Sequence, residues 1–123
     1  MQNNIINWFE IPVTDMRRAS GFYSTVLGQT LRFEQIAGNE LAVFAYQPPG
    51  VGGCLIHGQR YLPSDNGVVI YLNITQGMDR TLDRIESAGG RVLTGKTQLP
   101  GDMGCYAHIL DTEGNRVGLH AHN

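Results

Sequence analysis

The sequence predicts an α+β fold made of two βαβββ modules. Three observations predict it. Eight short β-rich runs are separated by turns rich in Gly, Pro, Asn and Asp. Two longer stretches carry apolar residues at three- and four-residue spacing, as amphipathic helices do. The order strand, helix, three strands then occurs twice, at a constant offset. Val13, Gly28 and Leu31 end the first strand, stop the first helix and begin the next strand; adding 61 to each gives Ile74, Gly89 and Val92 in the same roles.

Each element has its own reason. Ile5 to Val13 is β-rich and apolar, and Pro12 near its end suits a strand that does not lie deep in a ladder. Asp15 can cap a helix running from Met16 to Leu27, because its carboxylate can accept from an early helix N–H. Ala19, Phe22, Tyr23, Val26 and Leu27 form its apolar stripe, and Gly28 is the stop. Strands follow at Thr30 to Ile36, Glu40 to Tyr46 and Gly52 to His57, with Ala37-Gly38-Asn39 and Pro48-Pro49-Gly50 as turns. Gly58 to Gly67 reads as an exposed connection. The second module has a strand at Val68 to Ile74 and a helix at Met78 to Ala88 stopped by Gly89-Gly90. Its remaining strands are Arg91 to Thr94, Cys105 to Leu110 and Arg116 to Ala121. The expected organisation is one domain over residues 1–123, with modules at 1–58 and 68–123.

Composition excludes several classes of function. The chain has 123 residues, 41% of them hydrophobic, and a formal net charge of -2. A domain near this length buries roughly two-thirds of its unfolded surface. No basic stripe marks a nucleic-acid partner. No run approaches the ~18 apolar residues of a membrane span. Residues 1–8 lack the pattern of a secretory signal, so a cytoplasmic location is expected. Cys54 and Cys105 are too few for a disulfide framework and read as small strand residues.

Three stretches carry a family resemblance. Phe9-Glu10-Ile11-Pro12-Val13-Thr14-Asp15, with Ala19, Phe22-Tyr23 and Leu27-Gly28, looks like the opening strand and helix of the glyoxalase/bleomycin-resistance/dioxygenase proteins, the vicinal-oxygen-chelate superfamily. Gly52-Gly53-Cys54-Leu55 resembles the strand that ends the first half in small members. Asp111-Thr112-Glu113-Gly114-Asn115, leading into Val117-Gly118-Leu119, is similar to the closing turn and strand. The physics of these residues is mostly structural. Phe22 and Tyr23 supply buried area where helix meets sheet; Gly114 suits a position of positive φ, and Asn115 tolerates one.

The resemblance implies two halves curled into an open, cup-shaped sheet, a homodimer, and a small-molecule ligand. In metal-dependent members it also implies a divalent ion held by His or Glu from the first and last strands of each half. Counted onto this chain, those positions fall on Trp8, Val69, Gly118 and either Cys54, by the leucine that follows it, or His57, by spacing. An indole N–H only donates, and Val and Gly carry no ligand atom. The standard site is therefore expected to be missing.

The remaining polar residues suggest two alternatives. Residues two apart on a strand share a face, so Glu10 accompanies Trp8, and His120 and His122 accompany Gly118. A rebuilt metal site of Glu10, His120 and His122 has suitable ligand types, set against a reading in which His122 frays and His120 lines a pocket. Glu10 could be a general base if the cup desolvates it, or a structural carboxylate bonded to backbone or to Tyr71 (10 + 61). His108, beside Tyr106 on one strand face, reads as a strand residue.

The preferred function is a binding protein that holds a small organic molecule without a cofactor, in a cup lined by Trp8, Glu10, Cys54, Val69, Tyr71, Tyr106, Gly118 and His120. An apolar pocket with sparse polar anchors suits that role. The alternative is a metal-dependent lyase, isomerase or dioxygenase with a rebuilt site.

Overall fold

A computed structural model describes residues 4–123. Its elements are β1 (Trp8–Pro12), α1 (Met16–Leu27), β2 (Arg32–Ile36), β3 (Asn39–Val43), β4 (Gly52–His57), β5 (Tyr71–Asn73), α2 (Met78–Ile85), β6 (Arg91–Gln98), β7 (Cys105–Leu110) and β8 (Arg116–Ala121). They form two four-stranded sheets of identical topology, β1-β4-β3-β2 and β5-β8-β7-β6. In each, the first strand runs parallel to the last and the remaining pairs are antiparallel. The doubled α+β architecture is that expected from the sequence.

Local chemistry explains the boundaries that agree. Asp15 is extended at φ -133 and accepts from the Arg18 N–H, which caps α1. Gly28 ends α1 in the left-handed region at φ 66. The other boundaries differ from the sequence reading. β1 begins at Trp8 rather than Ile5 and ends at Pro12, β2 begins at Arg32 rather than Thr30, and β3 runs from Asn39 to Val43 rather than from Glu40 to Tyr46. The remaining three have visible causes. β5 holds only three residues, because only Tyr71–Asn73 pair with β8, and Val68 is 93% exposed. α2 ends at Ile85; residues 86–89 continue as turn, and the Gly90 N–H closes back on the Ile85 carbonyl. β6 runs on to Gln98, past the Gly95-Lys96-Thr97 polar stretch, because irregularities in its register with β7 carry the ladder across it.

One core lies between the helices and both sheets. Ile11, Val13, Phe22, Tyr23 and Leu55 of the first half join Leu72, Met78, Ile85, Ile109 and Leu119 of the second in it. Strand alternation therefore divides each sheet into a core face and an opposite, cup face. On β7, Cys105, Ala107 and Ile109 are buried in the core, and Tyr106 and His108 stand half-buried on the cup face.

The Asp111–Asn115 turn locks the halves together. Asp111 is buried and accepts from the Tyr23 hydroxyl on α1 at 2.6 Å, from the Glu113 and Asn115 N–H groups, and from Asn115 Nδ2. The Asn115 side chain donates to the Pro12 carbonyl and accepts from the Ser64 N–H. Glu113 accepts from the Thr14 and Asp15 N–H groups at the start of α1 and pairs with Arg18 at 2.8 Å. Its side chain is fully covered. Gly114, at φ 95, makes the turn. The stretch that carried a family resemblance is thus a cross-module cap and clasp.

Candidate ligand-binding site

The cup faces of the two sheets differ in kind. On the first, Leu41, Val43, Cys54 and Ile56 form their own buried cluster with Tyr61 against it. The Tyr46 ring covers Gly52 and meets the Trp8 ring at 6.0 Å. That face is largely filled by its own side chains. On the second, Tyr71, Tyr106, His108, Arg116 and His120 are polar or aromatic and keep access to solvent.

Pairing register settles which positions correspond between halves. In the parallel pairs, Glu10 lies opposite Cys54 and Tyr71 lies opposite Gly118. Cys54, and not His57, is therefore the counterpart of Gly118. His57 lies at the far end of β4, where it pairs with Glu40 at 3.4 Å.

The residues at the family's ligand positions do not fit a metal ion. Trp8 offers only an indole donor. Val69 has no ligand atom. Cys54 is buried; burial and the Glu10 charge push its thiol up to about 11, against a smaller lowering by a Trp8 hydrogen bond. It is protonated at neutral pH, and the thiolate is the metal-binding form. Gly118 is covered by the Tyr71 ring, and a Cβ there would overlap that ring.

The fallback set is not assembled. Glu10 lies on the first sheet and His120 on the second. The His120 and His122 rings sit 5.7 Å apart, but His120 donates from Nε2 to the Met103 carbonyl at 2.7 Å. Among the described residues no group of three His, Cys, Asp or Glu side chains is gathered as a metal site. Glu10 is exposed, so the burial that a general-base role required is absent. Of the two partners considered for a structural Glu10, Tyr71 is not bonded to it; the Tyr71 oxygen meets His108 Nε2 at 2.7 Å.

The outer strands β1 and β5 do not pair with each other. They line a common groove of about 900 Å³, with Trp8, Glu10, Val69 and Tyr71 on its walls. Tyr106, Gly118 and His120 lie further across the second sheet. Four of the eight residues expected at the cup thus meet in one groove, and three continue along the adjoining face.

Two residues without a site role in the sequence reading, His108 (read there as a strand residue) and Arg116, take part in the site. Tyr71 reaches over Gly118 to His108 Nε2 at 2.7 Å, and His108 Nδ1 lies 3.0 Å from Arg116 Nη1. The alternation of β7 already put His108 on the Tyr106 face. What sequence could not supply was the register that sets Tyr71, Gly118 and His108 in one row.

The fold and this face define a protein of the vicinal-oxygen-chelate architecture. The Glyoxalase/Bleomycin resistance protein/Dioxygenase superfamily profile matches residues 5–119, and the chain belongs to that superfamily. No curated protein matches it in sequence. Among solved structures it is similar to a glyoxalase/bleomycin resistance protein from Streptomyces sp. CB03234, with TM-score 0.70, 24% identity, and 94% of this chain and 98% of that one covered. It is also similar to the fosfomycin resistance protein FosX from Listeria monocytogenes, with TM-score 0.68, 17% identity, and coverage of 98% and 92%. A glyoxalase I mutant from Zea mays gives TM-score 0.69 and 19% identity; the match covers 94% of this chain but only 46% of that one. At these identities the likenesses establish the fold. No helix among the described residues is long and apolar enough to cross a membrane.

Proposed function

We propose that this chain binds a small organic molecule on the open face of its second sheet and in the adjoining groove, without the superfamily's usual metal site. The carrying observation is Gly118: the position that would supply the last-strand ligand is glycine, and the Tyr71 ring lies over it. Aromatic walls with a few polar groups suit an organic ligand. Elemental analysis of protein purified without a histidine tag tests the reading. The expected result is no stoichiometric Zn, Ni, Fe or Mn, before or after incubation with these ions. Stoichiometric metal that is lost in both Glu10→Ala and His120→Ala would instead establish a rebuilt metal site and make a metal-dependent lyase, isomerase or dioxygenase the leading reading.

The same reading includes a homodimer. Among the described residues β1 and β5 each leave one edge unpaired, and open edges invite pairing with another chain. Exposed Ile5, Trp8, Val68 and Tyr71 line the groove beside them. Light scattering is expected to give twice the 13.5 kDa chain mass; a monomer at tens of micromolar would contradict this part of the proposal.

A further inference from the structure

The three-residue row on the second sheet has a direction. Arg116 carries only donors, so at 3.0 Å it must donate to His108 Nδ1. His108 Nδ1 is then the unprotonated nitrogen, and Nε2 carries the hydrogen. At 2.7 Å that Nε2–H donates to the Tyr71 oxygen. The opposite orientation would set an Nδ1–H against an Arg116 N–H. Tyr71 therefore receives a hydrogen bond and keeps its own O–H to give away. Among the described residues nothing accepts from it, and the side chain is half exposed on the groove.

Two further facts point to what it meets. Arg116 is half-buried and pairs with no carboxylate among the described residues. Burial first, and then the Arg116 charge, lower the His108 pKa, which keeps the ring neutral and the row intact near neutral pH. Donors that follow one another in a chain polarise each other, and here the chain begins on a cation and ends on the Tyr71 O–H.

We propose that Tyr71 is the ligand-contacting donor of an oxyanion-binding site, with His108 and Arg116 as positioning residues, and that its ligand is a small aromatic molecule bearing a carboxylate, enolate or phenolate oxygen. The aromatic part follows from the Tyr106 ring, 6.3 Å from the Tyr71 ring and beside the His108 ring at 5.7 Å. The proposal rests on the small-molecule reading above and adds the charge class and the contact atom.

The test has a ligand-free arm and a ligand arm. Long-range proton–nitrogen spectra of the imidazole at neutral pH are expected to show His108 protonated on Nε2 alone. In Arg116→Leu that single tautomer is expected to give way to a mixture. A His108 protonated on Nδ1, or a tautomer unchanged in Arg116→Leu, would overturn the proposal without touching the small-molecule reading. In the second arm benzoate, benzylammonium and toluene are titrated in turn into the wild type and Tyr71→Phe. Benzoate is expected to bind best and to lose about tenfold in affinity in Tyr71→Phe, with toluene unaffected. Preference for benzylammonium, or benzoate binding unchanged in Tyr71→Phe, would overturn the oxyanion assignment. If none of the three binds at millimolar concentration, the oxyanion assignment and the small-molecule reading fall together.

Discussion

Asp111→Ala is expected to be among the most destabilising single substitutions in this chain, at about 3–5 kcal/mol. The carboxylate is buried and takes four hydrogen bonds, one of them from the fully buried Tyr23 hydroxyl. Truncation leaves that hydroxyl and two backbone N–H groups without their acceptor, and an unsatisfied buried polar group costs its full desolvation penalty. Domains of this size are stable by about 5–15 kcal/mol, so the loss takes a large share. Urea unfolding gives the number. Tyr23→Phe alone is expected to cost about 1–2 kcal/mol. The double variant is expected to lose less than the sum of the singles, because the two share one bond. Strict additivity would refute the coupling.

Glu113 is expected to make the fold acid-sensitive in a defined window. Burial alone would push its carboxyl up. Hydrogen bonds from Arg18, Thr112 and the Asp15 and Thr14 N–H groups outweigh that and lower it to about 2, from an ordinary value of 4.5. A lowered carboxyl stabilises the folded state above its unfolded value and loses that contribution as pH falls. The contribution is therefore complete above about pH 4.5 and fades as pH drops towards 2. Melting temperatures of wild type and Glu113→Gln across this range test it: the gap should be constant above pH 5 and close below 4.5. Glu113→Ala, which also strips the acceptor from two N–H groups at the start of α1, is expected to cost about 2 kcal/mol at neutral pH.

Both predictions lie in a stretch whose sequence announced a turn but not a clasp. Gly114 was legible because positive φ selects glycine. The partners of Asp111 and Glu113 in the first module, Tyr23, Thr14, Asp15 and Arg18, lie 88 to 99 residues away, and no local pattern encodes such contacts. The same division holds through the fold. The bounds of α1, β4, β7 and β8 follow from caps, glycines and alternation, and they agree with the sequence reading. β5 and β6 do not, because their lengths are set by what the neighbouring strand pairs with rather than by their own residues.

The site divides likewise. Trp8, Glu10, Val69 and Tyr71 could be placed together by counting from the Asp15 helix start and applying the 61-residue offset, and they do line one groove. His108 and Arg116 could not, since their meeting with Tyr71 depends on two registers at once, across a glycine that leaves the row open. The sequence also gave no sign that the first sheet's cup face is filled by Leu41, Val43, Ile56 and Tyr61. That asymmetry directs the search for a ligand to the second sheet.

Metal-independent binding of a small molecule on the second sheet is the decisive expectation. It is tested most directly by a fragment screen on protein stripped with a chelator, followed by proton–nitrogen and aromatic proton–carbon spectra. Responding fragments are expected to shift Tyr71, Tyr106, His108 and His120 together, and adding Zn or Mn is expected to change neither the affinities nor the pattern. Shifts centred on Leu41, Val43 and Ile56, or binding that appears only once metal is restored, would contradict it.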